Sequence, residues 1–553
     1  MNKDFLPGLL LLILVPLVAL PAVNPVFGVH NDHFNLVDAA ETYLTNRGWD
    51  FPAAQLQADA DLRRCCEYFI ETRWLHSIGR SLNAWLVNLF FLPYARIADF
   101  SAGRLVDALL MGLTAGLFFH QLRRRLLVER LRALALAAGL FLLPPVLLYV
   151  FWISNMVPGI LPVCLGVAAY PLLDDIRRVD WRSRNRRLLW LLPTALLCYL
   201  LLCIVYPPNA LLLAFYPLIR VLNCQRTGWT AERFAVWRDL LFGFGTASLY
   251  FGLTKYVIVP LHGYLDPLVH LWRSLSADRT YQMELSFDPL VILAKVGGAL
   301  AFTANLWFAP GLGLAGLVAG LAGLAGLHWL LRAAPRPLGQ WRGPLLAGLA
   351  ALALGLAPVI AGKHAFVVGY RNSFVIAGMV MILLVHGLFH LLDRGSGSTP
   401  GRLRLAGAAA VVLAAGLNGF LHLRDAGDFY RLEYLFLQQT LPSRGAGIQT
   451  LLLERPEPPV RGREDQRLCY PWQGDVRCLL PQEFSAFSSL INHDLHLAMT
   501  IKILLRERDY AAPLRLEFTT PSPASVPPGV QRLPLPRPVP HGDDLLLDLE
   551  GKL

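Results

Sequence analysis

Long apolar runs separated by short polar stretches occupy the chain from its first residues to about residue 421. Runs of 18 or more apolar residues match the hydrocarbon thickness of a bilayer, so each is expected to be a spanning helix. The pattern predicts about eleven spans, at residues 5–25, 103–121, 132–152, 155–173, 188–206, 208–224, 238–260, 310–331, 343–361, 372–392 and 403–421. The fold class this implies is an all-α polytopic membrane protein. Two further apolar stretches have polar flanks. Residues 80–98, "RSLNAWLVNLFFLPYARIA", carry Arg80 and Arg96 at their ends, with Arg104 following, and read as an amphipathic helix on the outer surface. Residues 288–308 contain Lys295 inside the run and read as a second surface or re-entrant helix. The Gly/Ala-rich run "GLGLAGLVAGLAGLAGL" (311–327) suits close helix packing.

The distribution of arginine orients the spans. The loops "HQLRRRLLVERLR", "DDIRRVDWRSRNRR", "NCQRTGWTAERFAVWR", "RAAPRPLGQWRG" and "DRGSGSTPGRLR" are all basic, as the cytoplasmic loops of a membrane protein are. The amino terminus is then inside. The long loops 26–102 and 261–309 and the region 422–553 are outside. Two domains follow: a transmembrane unit over 1–421 and an extracytoplasmic region over 422–553. Making 288–308 a span would turn the last two basic loops outward, against the charge rule. The opening 28 residues have features of a signal peptide, but prolines and a phenylalanine stand where a small-residue cleavage site belongs, so an uncleaved first helix is expected.

Composition agrees with a membrane protein: 553 residues, 55% hydrophobic and only 16% charged, where soluble domains average about a quarter charged. The net charge of +11 resides largely in the basic loops, so it does not point to nucleic acid. Eight cysteines form no paired C-x-x-C metal or redox motif. Cys164, Cys198, Cys203 and Cys224 fall in or beside apolar runs and are expected to be buried. Cys469 and Cys478, in "LCYPWQGDVRCL", suit a short disulfide loop in an extracytoplasmic compartment. The tail is Pro-rich at "RPEPPVRGRED" and "PSPASVPPGVQRLPLPRPVPHG", where extended chain is expected. A small helical or mixed subdomain is expected between them.

Candidate chemistry collects in the outer loops. "GVHNDHFNL" (28–36) follows the first span and places His30, Asp32 and His33 together, with Asp38 and Glu41 close behind. A carboxylate there suits general-base chemistry on a hydroxyl, and Asp32 with His33 also suits a divalent cation, magnesium or manganese. The same residues equally suit solvated groups at a helix end, with Asn31 or Asp32 capping the helix that follows. His76 and Arg80 lie further along this loop. The loop 261–309 supplies His262, Tyr264, Asp266, Arg273, Arg279 and Glu284. "GKHAFVVGYRNSF" supplies Lys363, His364, Tyr370 and Arg371 before the tenth span. Basic groups at an outer helix end run against the positive-inside bias and suit an anionic phosphate group.

An acidic motif directly after the first helix ("HNDHF"), a surface stretch leading into the second helix and its basic turn ("GRSLNAWLVNLFFLPYARIADFSAGRLVDALLMGLTAGLFFHQLRRR"), and a large outer loop before a late span together resemble the GT-C superfamily of integral-membrane glycosyltransferases. "GR" after the first loop and "YRNSF" are most similar to bacterial members that modify O-antigen and related surface glycans. The resemblance covers residues 1–420. It implies an inverting transfer of sugar from a polyprenyl-phosphate donor to a glycan, lipid or protein acceptor at the outer side of the bacterial inner membrane. It assigns the general base to Asp32 and the donor phosphate to Arg371, Lys363, Arg273 and Arg279. His30, His33, Asp38, Glu41, Arg80, Tyr370 and His262 are supporting candidates. Asn31 stands where many members carry a second acid, which leaves the cation open. A lipid-linked glycan polymerase or ligase is the alternative enzyme. A transporter is the alternative of another class, and it would call for internal repeats and broken mid-bilayer helices.

Overall fold

A computed structural model describes residues 4–24, 27, 81–91, 93–94, 96–153, 156–176, 186–265, 288–306, 342–361, 370–395, 400–441, 448–454, 468–472, 475–478, 497, 500–501, 504, 515–519, 525–535, 539–541 and 544–546. Their helices are α1 (Phe5–Val23), α2 (Ser81–Phe91), α3 (Phe100–Arg124), α4 (Arg130–Phe141), α5 (Pro144–Phe151), α6 (Leu161–Ile176), α7 (Arg186–Val205), α8 (Phe215–Thr227), α9 (Trp229–Leu253), α10 (Val259–Leu265), α11 (Pro289–Leu306), α12 (Arg342–Ala361), α13 (Tyr370–Gly395) and α14 (Pro400–Thr440).

The bundle has the surface of a protein bathed in lipid. On α3 the side chains of Leu105, Leu109, Leu113 and Leu117, one helical turn apart, are exposed, while Arg104, Asp107, Gly112 and Thr114 are buried. A soluble helix does the reverse. Polar groups turned inward and leucines outward are what a hydrocarbon solvent selects. Small residues set the helix spacing. At Gly112 an added Cβ would lie 2.8 Å from the Leu12 carbonyl oxygen, and at Gly116 3.2 Å from the Gly8 oxygen. These two glycines form a G-x-x-x-G step in "GLTAG" that lets α1 and α3 cross backbone to backbone. Farther along, α14 lies against α1: a Cβ on Gly419 would meet the Leu142 oxygen at 2.9 Å and Val18 at 3.4 Å.

Among the described residues five helices are long and apolar enough to cross a membrane, and six if the bent pair α4–α5 is one span. The chain is a multi-pass membrane protein, but this is fewer than the eleven spans expected. The differences have local causes. Residues 132–152 bend by 49° between α4 and α5, where Pro144 and Pro145 restart the helix. The expected span at 208–224 is a helical turn (Pro207–Ala210), a 3-10 turn (Leu211–Ala214) and then α8 of 13 residues, too short to cross by itself. Pro207 and Pro208 impose the break. Buried Asn209 ties it down, donating to the Pro158 carbonyl at 3.0 Å and accepting from Tyr149 at 2.9 Å, as irregular backbone at membrane depth requires. In α9 the charges of Arg238 and Asp239 interrupt the apolar run, and the apolar parts of α7 and α12 fall short of 18 residues. The expected span 310–331 lies outside the described residues.

Ion pairs gather the arginine-rich loops at one end of the bundle. Arg123 pairs with Asp4 at 3.1 Å, Arg125 with Asp174 at 3.0 Å and Asp175 at 2.6 Å, and Arg132 with Asp393 at 3.2 Å, which also pairs with Arg404 at 2.6 Å. Buried Arg220 pairs with Asp174 at 2.8 Å and Glu232 at 2.7 Å. The start of α12 sits there too, with Gly343 packed on Trp229. The described residues of all five basic loops predicted to share one membrane side thus lie at one end of the structure.

The carboxy-terminal region corrects the all-α expectation. It carries a three-stranded parallel sheet in the order β4 (Arg515–Thr519), β1 (Thr450–Glu454), β5 (Val530–Pro534). A second sheet has the order β3 (Asp475–Cys478), β2 (Leu468–Trp472), β7 (Asp544–Leu546), β6 (Val539–His541). One strand of each sheet, β5 and β6, comes from the Pro-rich stretch read as extended chain. The domain boundary expected at 421 falls inside α14, which continues to Thr440.

Replacing Gly112 by leucine is expected to separate α1 from α3. A lowered unfolding temperature in detergent, with Gly245→Leu unchanged because nothing lies within 4 Å of that position, is the measurement that checks it.

Candidate functional site

Arg104, in the second turn of α3, is completely buried at the end of the bundle opposite the ion pairs. Its Nε donates to the carbonyl of Phe151 and its Nη2 to that of Phe27, both at 2.9 Å. The guanidinium carbon stands 3.7 Å from the centre of the Phe27 ring. A planar fork can hold two carbonyls and a ring face at once, which an ammonium cannot. Phe27 in turn contacts Phe151 and Tyr430, with ring centres 4.7 Å and 6.0 Å away. Arg104 therefore joins α3, the end of α5, the chain leaving α1 and the extension of α14. The residue it grips is the last before "GVHNDHFNL".

Beyond this cluster α14 projects as a polar stripe. Arg424, Asp428, Arg431, Leu435 and Gln438 follow helical spacing on one face. With Tyr434 and with Pro21 and Asn24 of α1's end they line a cleft of about 690 Å³. The hairpin β2–β3 braces the stripe from behind. Arg477 pairs with Asp428 at 2.5 Å, the Tyr470 hydroxyl donates to the Asp425 carbonyl at 2.6 Å, and the rings of Tyr470 and Phe429 are 5.3 Å apart. Burial pushes the Tyr470 phenol well above its ordinary pKa, so it stays a protonated donor at physiological pH. Cys469, buried beside it, is disulfide-bonded, and the strand register sets it opposite Cys478.

The sequence-derived site residues distribute unevenly. His30, Asp32, His33, Asp38, Glu41, Arg80, Arg273, Arg279 and Lys363 lie outside the described residues. His262 lies in α10, and Tyr370 and Arg371 open α13. The polarity of α9 and α13, whose Glu232 and Asp393 sit among the ion pairs, places these three backbone positions at the Arg104 end. Of the two stretches expected to lie on the outer surface, α2 buries Asn83, Ala84 and Val87. On α11, Lys295 is buried, and its ammonium donates to the Ile360 carbonyl at 3.2 Å. Among the described residues no cluster of three or more His, Cys, Asp or Glu side chains forms a metal site, and the candidate ligands Asp32 and His33 are not among those residues. Arg104, Arg424, Asp428, Arg431 and Arg477 are additions from the structure. The helical spacing of 424, 428, 431, 435 and 438 in "LHLRDAGDFYRLEYLFLQQT" is the signal that reveals five of the cleft's lining positions once α14 is continued past 421.

No protein-family model matches the chain, and no curated protein matches it. Among solved structures it is similar to the apo crystal structure of an Archaeoglobus fulgidus oligosaccharyltransferase, at 13% identity and a TM-score of 0.37. That alignment covers 82% of this chain and 62% of the other, so this chain spans less than two thirds of the archaeal protein's length.

Arg104→Met is expected to leave two carbonyls without their charged donor and to cost about 2–4 kcal/mol of stability. Arg104→Lys, which keeps the charge and loses the fork, should fall between the two. Thermal unfolding of the three proteins in one detergent gives the order.

Proposed function

We propose that the chain is a glycosyltransferase of the GT-C type, moving a sugar from a polyprenyl-phosphate donor to an acceptor at the Arg104 end of the bundle. One observation carries the reading. The chain leaving α1 is clamped at Phe27, immediately before the His/Asp motif, and a polar cleft with arginine on its wall opens beside that exit. Apolar helices beneath would hold a prenyl chain while the chemistry proceeds at the boundary with water.

In the proposed reaction Asp32 accepts the proton of the acceptor hydroxyl as its oxygen attacks the anomeric carbon. The new glycosidic bond forms as the anomeric C–O bond to phosphate breaks, and the electron pair leaves on the phosphate oxygen. Arg371, Lys363, Arg273 and Arg279 are the cations we assign to that developing charge. His30, His33, Asp38, Glu41, Arg80, Tyr370 and His262 are assigned supporting positions. A single base acting opposite the leaving group suits inversion, unlike the close carboxylate pair of retaining glycosidases. A magnesium or manganese ion on Asp32 and His33 would supply further neutralisation of phosphate charge. The gathering of the described residues of five basic loops at the other end supports a bacterial inner-membrane orientation with the site facing the periplasm. An oxidising compartment there suits the Cys469–Cys478 pairing we assign.

The test is transfer from prenyl-phosphate sugars by the full chain in proteoliposomes. Asp32→Ala is expected to lower the rate by about 10²–10⁴-fold, the usual contribution of a general base, with donor binding retained. Undiminished transfer by that variant would remove Asp32 from the reaction.

A further inference from the structure

We propose that the cleft between the end of α1 and the extension of α14 binds an acid-bearing saccharide, with Arg431 taking its carboxylate or phosphate. Depth comes first. The 19 residues of α1 span about 28 Å at 1.5 Å per residue, close to one hydrocarbon thickness, so Asn24 marks the bilayer boundary. Because α14 runs alongside, with Gly416 and Gly419 at the level of Val18, Arg424 stands at headgroup height. The stripe from there to Gln438 rises roughly 21 Å further. The cleft therefore starts at the membrane surface and opens into water, within reach of a glycan and above the reach of an acyl chain.

Charge comes second. Asp428 is neutralised by Arg477, and Arg424 by Asp425 at 2.8 Å. Arg431 is exposed and forms no ion pair among the described residues, so the wall carries a net positive charge. A guanidinium fork suits the two oxygens of a carboxylate or a phosphate. The remaining polar lining is Asn24, Gln438, Asp428 and Tyr434, beside Pro21 and Leu435; the two amides donate and accept, the tyrosine hydroxyl does both, and the carboxylate accepts. Neighbouring hydroxyls of a sugar ring need partners of this kind, and the volume of about 690 Å³ lies within the usual range of small-ligand clefts. The acceptor of the transfer proposed above is the ligand this assigns. That role rests on the transfer reading, whereas the binding itself does not.

The experiment measures binding to the full chain carrying Asp32→Ala, in nanodiscs of neutral lipid, so that turnover plays no part. Trigalacturonate, mannose 6-phosphate, maltotriose and inorganic phosphate are the probes. The two acid sugars are expected to bind, with maltotriose and inorganic phosphate each about tenfold weaker or more. Arg431→Ala should lose about tenfold or more of the acid-sugar affinity, Arg431→Lys should retain part of it, and Gln438→Ala should weaken the sugars without affecting inorganic phosphate. Equal binding of maltotriose, equal binding of inorganic phosphate, absence of acid-sugar binding, or indifference to Arg431→Ala each overturns the proposal. Acid-sugar binding through Arg431 in a protein that transfers no sugar would leave the cleft standing and remove the transferase reading. Transfer without acid-sugar binding would do the opposite.

Discussion

The guanidinium of Arg104 solves a problem that burial of two helix exits creates. Past the end of α1 and at the end of α5, the carbonyls of Phe27 and Phe151 belong to residues wholly buried within the protein and need a donor there. One buried cation donates to both and stacks on the ring between them. Removing the charge from water is costly, and the two carbonyls and the ring face offset that cost. Four elements are thereby fixed to one point: α3, which bears the arginine; α1 and α5, whose ends it holds; and α14, which reaches it through Tyr430. The position of the polar cleft follows, because its two walls are the end of α1 and the continuation of α14.

The two ends of the bundle use charge differently. At one, arginines and carboxylates pair with one another across α3, α4, α6, α8, α9, α13 and α14. This network makes a rigid base and holds the basic loops on a common side. At the other, backbone carbonyls, aromatic rings and a partly compensated stripe on α14 meet the small sheets of the carboxy-terminal region. The clamp and the cleft coincide at this second end.

Hydrophobic runs made the bundle legible because in lipid a span must be continuous and apolar. Boundaries at α1, α3, α6, α12 and α13 agree with the sequence to within a few residues for that reason. Proline at 144 and 207 broke two expected spans, since a run of apolar residues says nothing of the backbone hydrogen bonds it can complete. The β-sheets of the tail were masked by proline and by short strands, whose parallel pairing depends on partners more than sixty residues away. Arg104 was visible only as one of several charges crowding a helix end. Its role depends on Phe27 and Phe151, which lie 77 and 47 residues off. The stripe on α14 was legible in its spacing and was missed because the apolar run ended at 421 while the helix did not.

Photocrosslinking locates the chemistry most directly. A benzophenone amino acid placed at Asn24 or Tyr434, beside the cleft, is compared with one at Trp229, among the basic loops, in proteoliposomes supplied with a labelled prenyl-phosphate sugar. Capture of the label is expected from Asn24 and Tyr434 and little from Trp229. Capture from Trp229 with none from the other two would place the lipid-linked sugar at the ion-paired end and contradict this expectation.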